Sequence, residues 1–232
     1  MKCYNFVDGN CANCQSKPVK YGKSQNKQRY YCKSCKKTWL ASYTNQVCLP
    51  SVNPNIIALT KEGCGIRSTA RLLRISATTV ISRIQKIADG IKKPQISIGS
   101  SYEVDELKTY IKRKINDYWV IYAIAKESGA VVDYKVGKRS KKNLKRVTDT
   151  LLLAECKQIC SDGLDIYRFI IPEAIHRVKR YGTNCIERKN LSLRTHLKRL
   201  SRKTICFSKT LLMLEACLKI YFWQNGASTT YP

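Results

Sequence analysis

Two cysteine pairs near the N-terminus constrain the fold of this chain more than any other feature. Cys11 and Cys14 form the first pair, Cys32 and Cys35 form the second, and 17 residues separate the two pairs. Four thiolates on two tight turns can complete a tetrahedral shell around one zinc ion, and such a shell leaves no open position for catalysis. Two disulfides, or a chance clustering among the 12 cysteines, are the alternatives. The spacing predicts a zinc ribbon over residues 1–48, in which Zn²⁺ has a structural role.

The charge of the chain indicates a polyanionic partner. Lysine and arginine number 43 against 16 acidic residues, and the formal net charge is +27. Both halves share this excess, which favours contacts to nucleic-acid phosphates whose strength falls with salt. The longest apolar run, residues 119–125, is too short to span a bilayer. The cysteines outside the two pairs show no pairing pattern, which is typical of thiols in a reducing cytoplasm. We therefore expect a cytoplasmic protein that binds double-stranded DNA.

Residues 49–95 show a helical pattern. Asn53 is expected to cap a first helix, and a second helix fits residues 66–73. Ser76 is expected to cap a third helix that ends near residue 88. Its apolar residues recur at helical spacing, at Val80, Ile81, Ile84 and Ile87. We interpret these helices as a helix-turn-helix whose third helix reads DNA, and a three-helix bundle that binds nothing is the alternative. The side chains turned outward are the predicted DNA contacts: Thr78, Thr79, Ser82, Arg83 and Lys86.

Beyond a linker over residues 89–101, the pattern changes to strands with one helix among them. In chain order we predict strands over residues 102–108, 117–126 and 130–136, a helix over residues 141–155 and a strand over residues 156–162. The order β-β-β-α-β begins an RNase H-like fold, an α/β (α+β) architecture with a mixed sheet. In this fold the first and fourth strands lie side by side. We predict that such a catalytic domain occupies residues 96–232.

Three acidic residues stand where this fold would need them. Asp105 lies inside the first strand and Asp162 at the end of the fourth, where a carboxylate is costly unless it is paired or binds a cation. Glu187 lies on a later helix, and at 100° per residue it points away from the leucines of that helix. Together the three carboxylates would bind two Mg²⁺ ions, although other acids remain open: Asp133, Asp149, Asp165, Glu106 and Glu173.

Two cations and two histidines accompany these acids. Arg194 and Lys198 fall within about 20° of Glu187 on the same helix, which makes them predicted contacts to DNA phosphates. His196 falls beside the leucines of that helix, so we expect it to pack rather than to act as a ligand or base. His176 is the other histidine that could serve as a ligand or base.

The chain resembles the insertion-sequence-1 family of transposases over almost its full length, and several segments carry this resemblance. They are CANC, YYCKSCKKTW, GCGIRSTARLL, VDEL, SDG and IERKNLSLRTHLKRLSRKTICFSK, of which the last is the most specific. The resemblance implies a DDE-type transposase that binds terminal inverted repeats and cuts and joins DNA with Mg²⁺ or Mn²⁺. It implies the acids Asp105, Asp162 and Glu187, with Arg194 as a DNA contact.

Two other functions remain open at this stage. A non-catalytic DNA-binding regulator would not need the three acids, and a nuclease or recombinase of the same fold would cut without joining. A transposase must bring two DNA ends together, so the resemblance also implies at least a homodimer on DNA. It further implies a location with the nucleoid in the cytoplasm of a bacterium or archaeon. The apolar helix expected over residues 211–221 would serve either as an interface or as part of the core.

Overall fold

The N-terminal part of the chain forms a small β module. The computed structural model describes residues 6–7, 9–179 and 182–224. The strands of this module are β1 (Phe6–Val7), β2 (Asn10–Cys11), β3 (Val19–Ser24), β4 (Lys27–Tyr31) and β5 (Thr38–Leu40). Strands β3, β4 and β5 form an antiparallel sheet in that order, and β1 pairs with β2. Trp39 is only 3% exposed and stacks on Tyr30, so aromatic rings supply the small core.

Three helices follow, α1 (Val52–Lys61), α2 (Ile66–Leu73) and α3 (Ala77–Gly90). Ser76 caps α3 as predicted, because its side chain accepts a hydrogen bond from the backbone of Thr79. The predicted cap of α1 is wrong. The helix begins at Val52, and the side chain of Asn53 accepts a hydrogen bond from Arg83 instead.

Two further details of this region differ from expectation. Ile81 is 38% exposed and does not belong to the buried stripe of α3, which consists of Val80, Ile84 and Ala88. Cys48, in the 3-10 turn before α1, is disulfide-bonded, so the expectation of unpaired thiols is wrong for this cysteine.

The rest of the chain folds around a five-stranded mixed sheet. In chain order its elements are β6 (Ser101–Tyr110), β7 (Asp117–Ala125), β8 (Val131–Gly137), α4 (Lys141–Leu152), β9 (Gln158–Cys160), α5 (Asp165–Arg168), β10 (His176–Arg177), α6 (Asn184–His196) and α7 (Leu211–Trp223). The strand order is β10-β9-β6-β7-β8. Strands β6, β7 and β8 are antiparallel neighbours, whereas β9 is parallel to both β6 and β10. The predicted RNase H-like arrangement is confirmed, because the first and fourth strands of this domain lie side by side.

Helices cover both faces of the sheet. Residues of α4 and α5 pack on one face, against Val104 and Ile121. Residues of α6 and α7 pack on the other face, against Leu107 and Tyr122. Since successive side chains of a strand point to opposite faces, Asp105 of β6 lies on the α6 side and Glu106 on the α4 side.

Helix α7 joins two hydrophobic cores. Leu214 and Leu218 pack into the core of the mixed sheet, while Cys217 and Ile220 pack against α1 and α3 of the helix-turn-helix region. Apart from the exposed Leu212, the apolar residues of this helix are therefore buried or half-buried within the chain. None of the described helices has the length and apolar character needed to cross a bilayer.

Candidate active site and nucleic-acid interface

The four N-terminal cysteines converge as the spacing predicts. All four sulfur atoms lie within 4.8 Å of one another, with 3.7 Å between the Sγ atoms of Cys11 and Cys35 and 3.3 Å between those of Cys14 and Cys32. Tetrahedral Zn²⁺ with Zn–S bonds of about 2.3 Å requires sulfur atoms about 3.8 Å apart. The donor set and its spacing therefore suit a structural zinc ion.

Two matching backbone turns bring these sulfurs together. The backbone N–H of Cys11 donates to the carbonyl of Ser16, and the N–H of Cys32 donates to that of Lys37. The residue that follows the second cysteine of each pair has a positive φ, which is 60° at Gln15 and 54° at Lys36. Hydrogen bonds from Ser16 lower the pKa of Cys14 to about 6, whereas burial raises the pKa of Cys35 to about 11.

Around the mixed sheet, the structure brings Asp105 and Asp162 together. Asp105 lies in the middle of β6, and Asp162 follows the end of the parallel neighbour β9. Carboxylate oxygens of Asp105, Asp162 and Glu106 lie within 4.8 Å of one another, a spacing that suits a divalent cation. The two strand acids predicted from the sequence therefore share one site.

Hydrogen bonds fix the carboxylate of Asp105. Its Oδ1 accepts from the backbone N–H of Glu106 at 2.7 Å, and its Oδ2 accepts from Nδ2 of Asn190 at 2.5 Å. The hydroxyl of the buried Tyr122 lies 2.8 Å from Oδ1 of Asn190 and donates to it, which turns the amide nitrogen toward Asp105. Burial raises the pKa of Asp105, the charges of Asp162 and Glu187 add to this rise, and the two hydrogen bonds oppose it.

Glu187 lies next to this group but outside the set of converging oxygens. It is exposed in the first turn of α6, and its Oε1 accepts a hydrogen bond from the hydroxyl of Thr183 at 3.0 Å. A buried carboxylate holds the start of the helix, because Oε2 of Glu103 accepts from the backbone N–H of Ile186 at 2.8 Å. Strand β6 thus positions both Asp105 and the first turn of α6.

Glu106 also lies in this site. The sequence alone does not single it out from the other acids that could hold a cation. Its Oε1 accepts from the hydroxyl of Tyr167 at 2.5 Å, and its Oε2 accepts from Nη2 of Arg139 at 3.0 Å. Burial raises its pKa, whereas these two partners lower it. The available signal was its position next to Asp105 in an alternating strand, but the strand pattern does not reveal its partners.

The predicted contacts on α3 occupy different environments. Thr78 and Lys86 are exposed, while Ser82 is half-buried. The hydroxyl of Thr79 lies 2.8 Å from that of Ser76 in the helix cap. The guanidinium of Arg83 donates to Asn53 and, at 3.2 Å, to the carbonyl of Val47. Arg83 therefore ties α3 to the segment before α1.

The predicted cations on α6 are separated by the end of the helix. Arg194 is half-buried, and burial lowers its pKa, an effect that the charge of Asp105 partly opposes. Helix α6 ends at His196, and Lys198 begins a 3-10 turn with a different geometry. The helical angle predicted between Lys198 and Glu187 is therefore wrong, although Lys198 is exposed.

Both histidines make hydrogen bonds inside the fold. Nδ1 of His196 lies 2.7 Å from the hydroxyl of Tyr221 on α7. Nε2 of His176 lies 2.8 Å from the hydroxyl of Ser161, and burial lowers the pKa of this histidine. In the described part of the chain, neither histidine belongs to a group of side chains that could hold a metal.

Comparisons with known proteins agree on one family. The family model described as IS1 transposase matches residues 100–225. The InsB protein of insertion element iso-IS1n from Shigella dysenteriae is 34% identical over 123 residues, which are 53% of this chain and 94% of that protein. The InsB protein of an IS1 element of Escherichia coli K12 is 31% identical over 150 residues, covering 65% of this chain and 85% of the relative.

A solved structure is also similar. The catalytic core domain of HTLV-2 integrase, determined in complex with magnesium, is 15% identical and covers 55% of this chain and 86% of that domain. Its TM-score is 0.36. The assignment of the fold therefore rests on the strand order and pairing of this chain.

Proposed function

The chain belongs to the IS1 transposase family, and we propose that it cuts DNA at the ends of an insertion element and joins those ends to target DNA. One observation carries this proposal. Asp105 and Asp162 meet on neighbouring parallel strands, with Glu187 on the helix beside them. A protein that only binds DNA has no use for a group of carboxylates gathered in an otherwise strongly basic chain.

We assign Asp105, Asp162 and Glu187 as the residues that hold Mg²⁺ or Mn²⁺. The hard oxygen donors and the spacing of the two aspartates suit these cations. When bound, a pair of such ions activates the attacking oxygen and stabilises the leaving oxygen of a phosphodiester. The hydroxyl of Thr183 would orient the carboxylate of Glu187 by donating to its Oε1. Asn190 and the backbone of Glu106 hold the carboxylate of Asp105 in one orientation.

The reaction has two displacements at phosphorus. In the first, the oxygen of water bonds to the phosphorus at the element end while the bond to the 3′ oxygen breaks, and that oxygen takes up a proton. In the second, the freed 3′-hydroxyl loses its proton and bonds to a target phosphorus while the bond from that phosphorus to the target's own 3′ oxygen breaks, and that oxygen takes up a proton. Arg194 and Lys198 would contact phosphates beside the acids.

The N-terminal modules would locate the element ends. We propose that Zn²⁺ binds the four cysteines and stabilises the ribbon, and that the exposed face of α3 reads the terminal inverted repeats. Thr78, Thr79, Ser82 and Lys86 are the base or backbone contacts on this face. Arg83 would support its orientation as well as contact DNA, since it already binds Asn53. Because two element ends must be brought together, we propose at least a dimer on DNA. Because its substrate would be chromosomal DNA, we also propose that the protein lies with the nucleoid in the cytoplasm.

A cleavage and joining assay tests this function. Purified protein is incubated with Mg²⁺, a duplex carrying the inverted repeat that flanks its gene, and a target plasmid. We expect nicked ends and joined products from the wild-type protein and neither from Asp105→Asn or Asp162→Asn. Cleavage without joining would favour a nuclease, and binding without either product would favour a regulator. Activity in both variants would refute the assignment of the acids.

A further inference from the structure

A group of cations and aromatic rings lies on the α4 side of the acids. We call it the basic ridge, and its members are Lys108, Trp119, Arg139, Lys141 and Phe169. The guanidinium carbon of Arg139 lies 4.8 Å from the ring centre of Trp119, and Nζ of Lys108 lies 5.9 Å from the same ring. Nζ of Lys141 lies 5.8 Å from the ring centre of Phe169. Each cation is thus held against an aromatic ring.

Glu106 connects the basic ridge to the acids. Arg139 and Tyr167 both bond to its carboxylate, which lies within 4.8 Å of the carboxylates of Asp105 and Asp162. Lys141 follows Arg139 by two residues, and Phe169 follows Tyr167 by two residues. The basic ridge is therefore next to the site of the chemistry.

The basic ridge has capacity to bind an anion. Lys141 is exposed and has no acidic partner within ion-pair distance among the described residues, whereas Lys108 pairs with Asp117 at 2.7 Å. Phe169 is 76% exposed. A single exposed ring is common on protein surfaces. An exposed ring held by a lysine beside catalytic carboxylates matches the combination that proteins use for nucleic acids, in which cations contact phosphates and rings stack on bases.

The helix-turn-helix packs mainly against α6 and α7, although Lys93 after α3 pairs with Asp133 of β8 at 2.8 Å. Gly63, in the turn after α1, lies so close to α6 that an added Cβ would be 2.0 Å from the carbonyl oxygen of His196. Helices α1 and α3 also pack on α7, and α6 and α7 cover the sheet face that α4 does not. DNA held by α3 would therefore reach the acids from the α6 and α7 side. The basic ridge remains accessible to a second DNA molecule.

We propose that the basic ridge binds the target DNA into which the element end is joined. This inference rests on the proposed function, since only a transposase needs a second duplex at the same acids. Lys141 contacts a phosphate of the target. Phe169 stacks on a base at the point where the target is distorted for attack.

The test compares two matched pairs of exposed side chains. Lys141→Ala and Phe169→Ala remove the two accessible members of the basic ridge. The control substitutions Lys157→Ala and Leu153→Ala remove one exposed lysine and one exposed apolar side chain. Lys157 precedes β9 and Leu153 follows α4, at the ends of these elements that lie away from the acids, and Leu153 is 86% exposed. The protein is first bound to element-end DNA, and its affinity for an unrelated second duplex is measured at several salt concentrations. Joining and end cleavage are then measured separately.

We expect each ridge substitution to weaken binding of the second duplex about tenfold, and to reduce joining about tenfold more than end cleavage. Lys141→Ala should also lower the slope of log affinity against log salt by about one, and Phe169→Ala should leave that slope unchanged. The two control variants should match the wild-type protein. Equal losses in cleavage and joining, or unchanged affinity for the second duplex, would overturn the proposal. Because binding of the second duplex needs no chemistry, a wild-type protein without activity would refute the proposed function but still test the basic ridge.

Discussion

At the scale of single residues, Gly63 shows why one position admits no side chain. Its φ is +68°, and a Cβ there would overlap the backbone of His196. Gly63→Ala should lower the free energy of unfolding by about 1–2 kcal/mol for the left-handed backbone, and by about 1–3 kcal/mol more for the overlap. Denaturant unfolding measures both effects.

Gly99→Ala is the matched control, because Gly99 has the same φ of +68° but no atom within 4 Å of the added Cβ. It should show only the backbone cost. Equal destabilisation by the two substitutions would mean that the contact between the helix-turn-helix turn and α6 does not constrain the fold.

Tyr122 acts on the site through another residue. Its hydroxyl orients the amide of Asn190, which in turn bonds to Asp105. Substitutions that disturb the partners of metal ligands typically cost about 10- to 100-fold in metal affinity or activity. We expect Tyr122→Phe and Asn190→Ala to raise the Mg²⁺ concentration needed for half-maximal cleavage by about this factor.

Tyr134→Phe provides the comparison, since Tyr134 lies opposite Tyr122 in the sheet and its hydroxyl donates to the carbonyl of Glu215, away from the acids. Its Mg²⁺ dependence should stay that of the wild-type protein. If Tyr122→Phe and Tyr134→Phe behave alike, the hydroxyl of Tyr122 does not position Asp105.

At the scale of elements, the zinc ribbon has too small a core to fold by itself. Trp39 and two cysteines are its buried residues, so removal of the metal should unfold it. We expect a chelator, or Cys32→Ser, to abolish zinc binding and to make residues 9–48 sensitive to protease while residues 101–224 stay resistant. Metal analysis and limited proteolysis measure the outcome.

Cys206→Ser, at an exposed cysteine far from the ribbon in sequence, should keep one zinc ion per chain. Retention of zinc by Cys32→Ser would show that the four sulfurs are not the ligands.

Strands were more predictable than helix ends in this chain. The alternating pattern and the turn at residues 127–129 located β6, β7 and β8 to within two residues, because a two-residue period leaves little freedom of register. The end of α6 was not predictable. Leu200 of the following 3-10 turn and Leu197 just before it are both buried, as they would be in a continued amphipathic helix, and neither glycine nor proline marks the break.

At the scale of the whole molecule, α7 couples the helix-turn-helix to the catalytic domain. Ile220 is fully buried between α7 and the first three helices. Ile220→Ala should lower the free energy of unfolding by about 2–5 kcal/mol, and it should weaken binding to element-end DNA although the residue is remote from α3 in sequence. Unfolding followed together with DNA affinity checks this expectation.

Leu212→Ala on the same helix removes a side chain that is 67% exposed, and it should change stability by less than about 0.5 kcal/mol. Loss of stability without loss of DNA affinity in Ile220→Ala would mean that α7 supports only the catalytic domain.

The sequence predicted the order of the elements better than the contacts between distant ones. The order β-β-β-α-β predicted that β6 and β9 lie side by side, and the register that pairs Glu103 with Cys160 then brings Asp162 next to Asp105. No periodicity in residues 211–223 distinguishes the face that packs on the sheet from the face that packs on α1 and α3. The partners of Glu106 were hidden for the same reason, since Arg139 and Tyr167 are brought to it only by the complete fold.

The central claim is that Glu187, and not Glu106, is the third catalytic acid. Glu106 is the closer carboxylate to the two aspartates, but its charge is already paired with the guanidinium of Arg139, with 3.0 Å between Oε2 and Nη2. The most direct measurement is the rate of strand transfer by Glu187→Gln and Glu106→Gln under the same conditions. We predict a loss of about 10²- to 10³-fold for Glu187→Gln, and less than about tenfold for Glu106→Gln, whose amide oxygen can still accept a hydrogen bond. The reverse order would contradict this account.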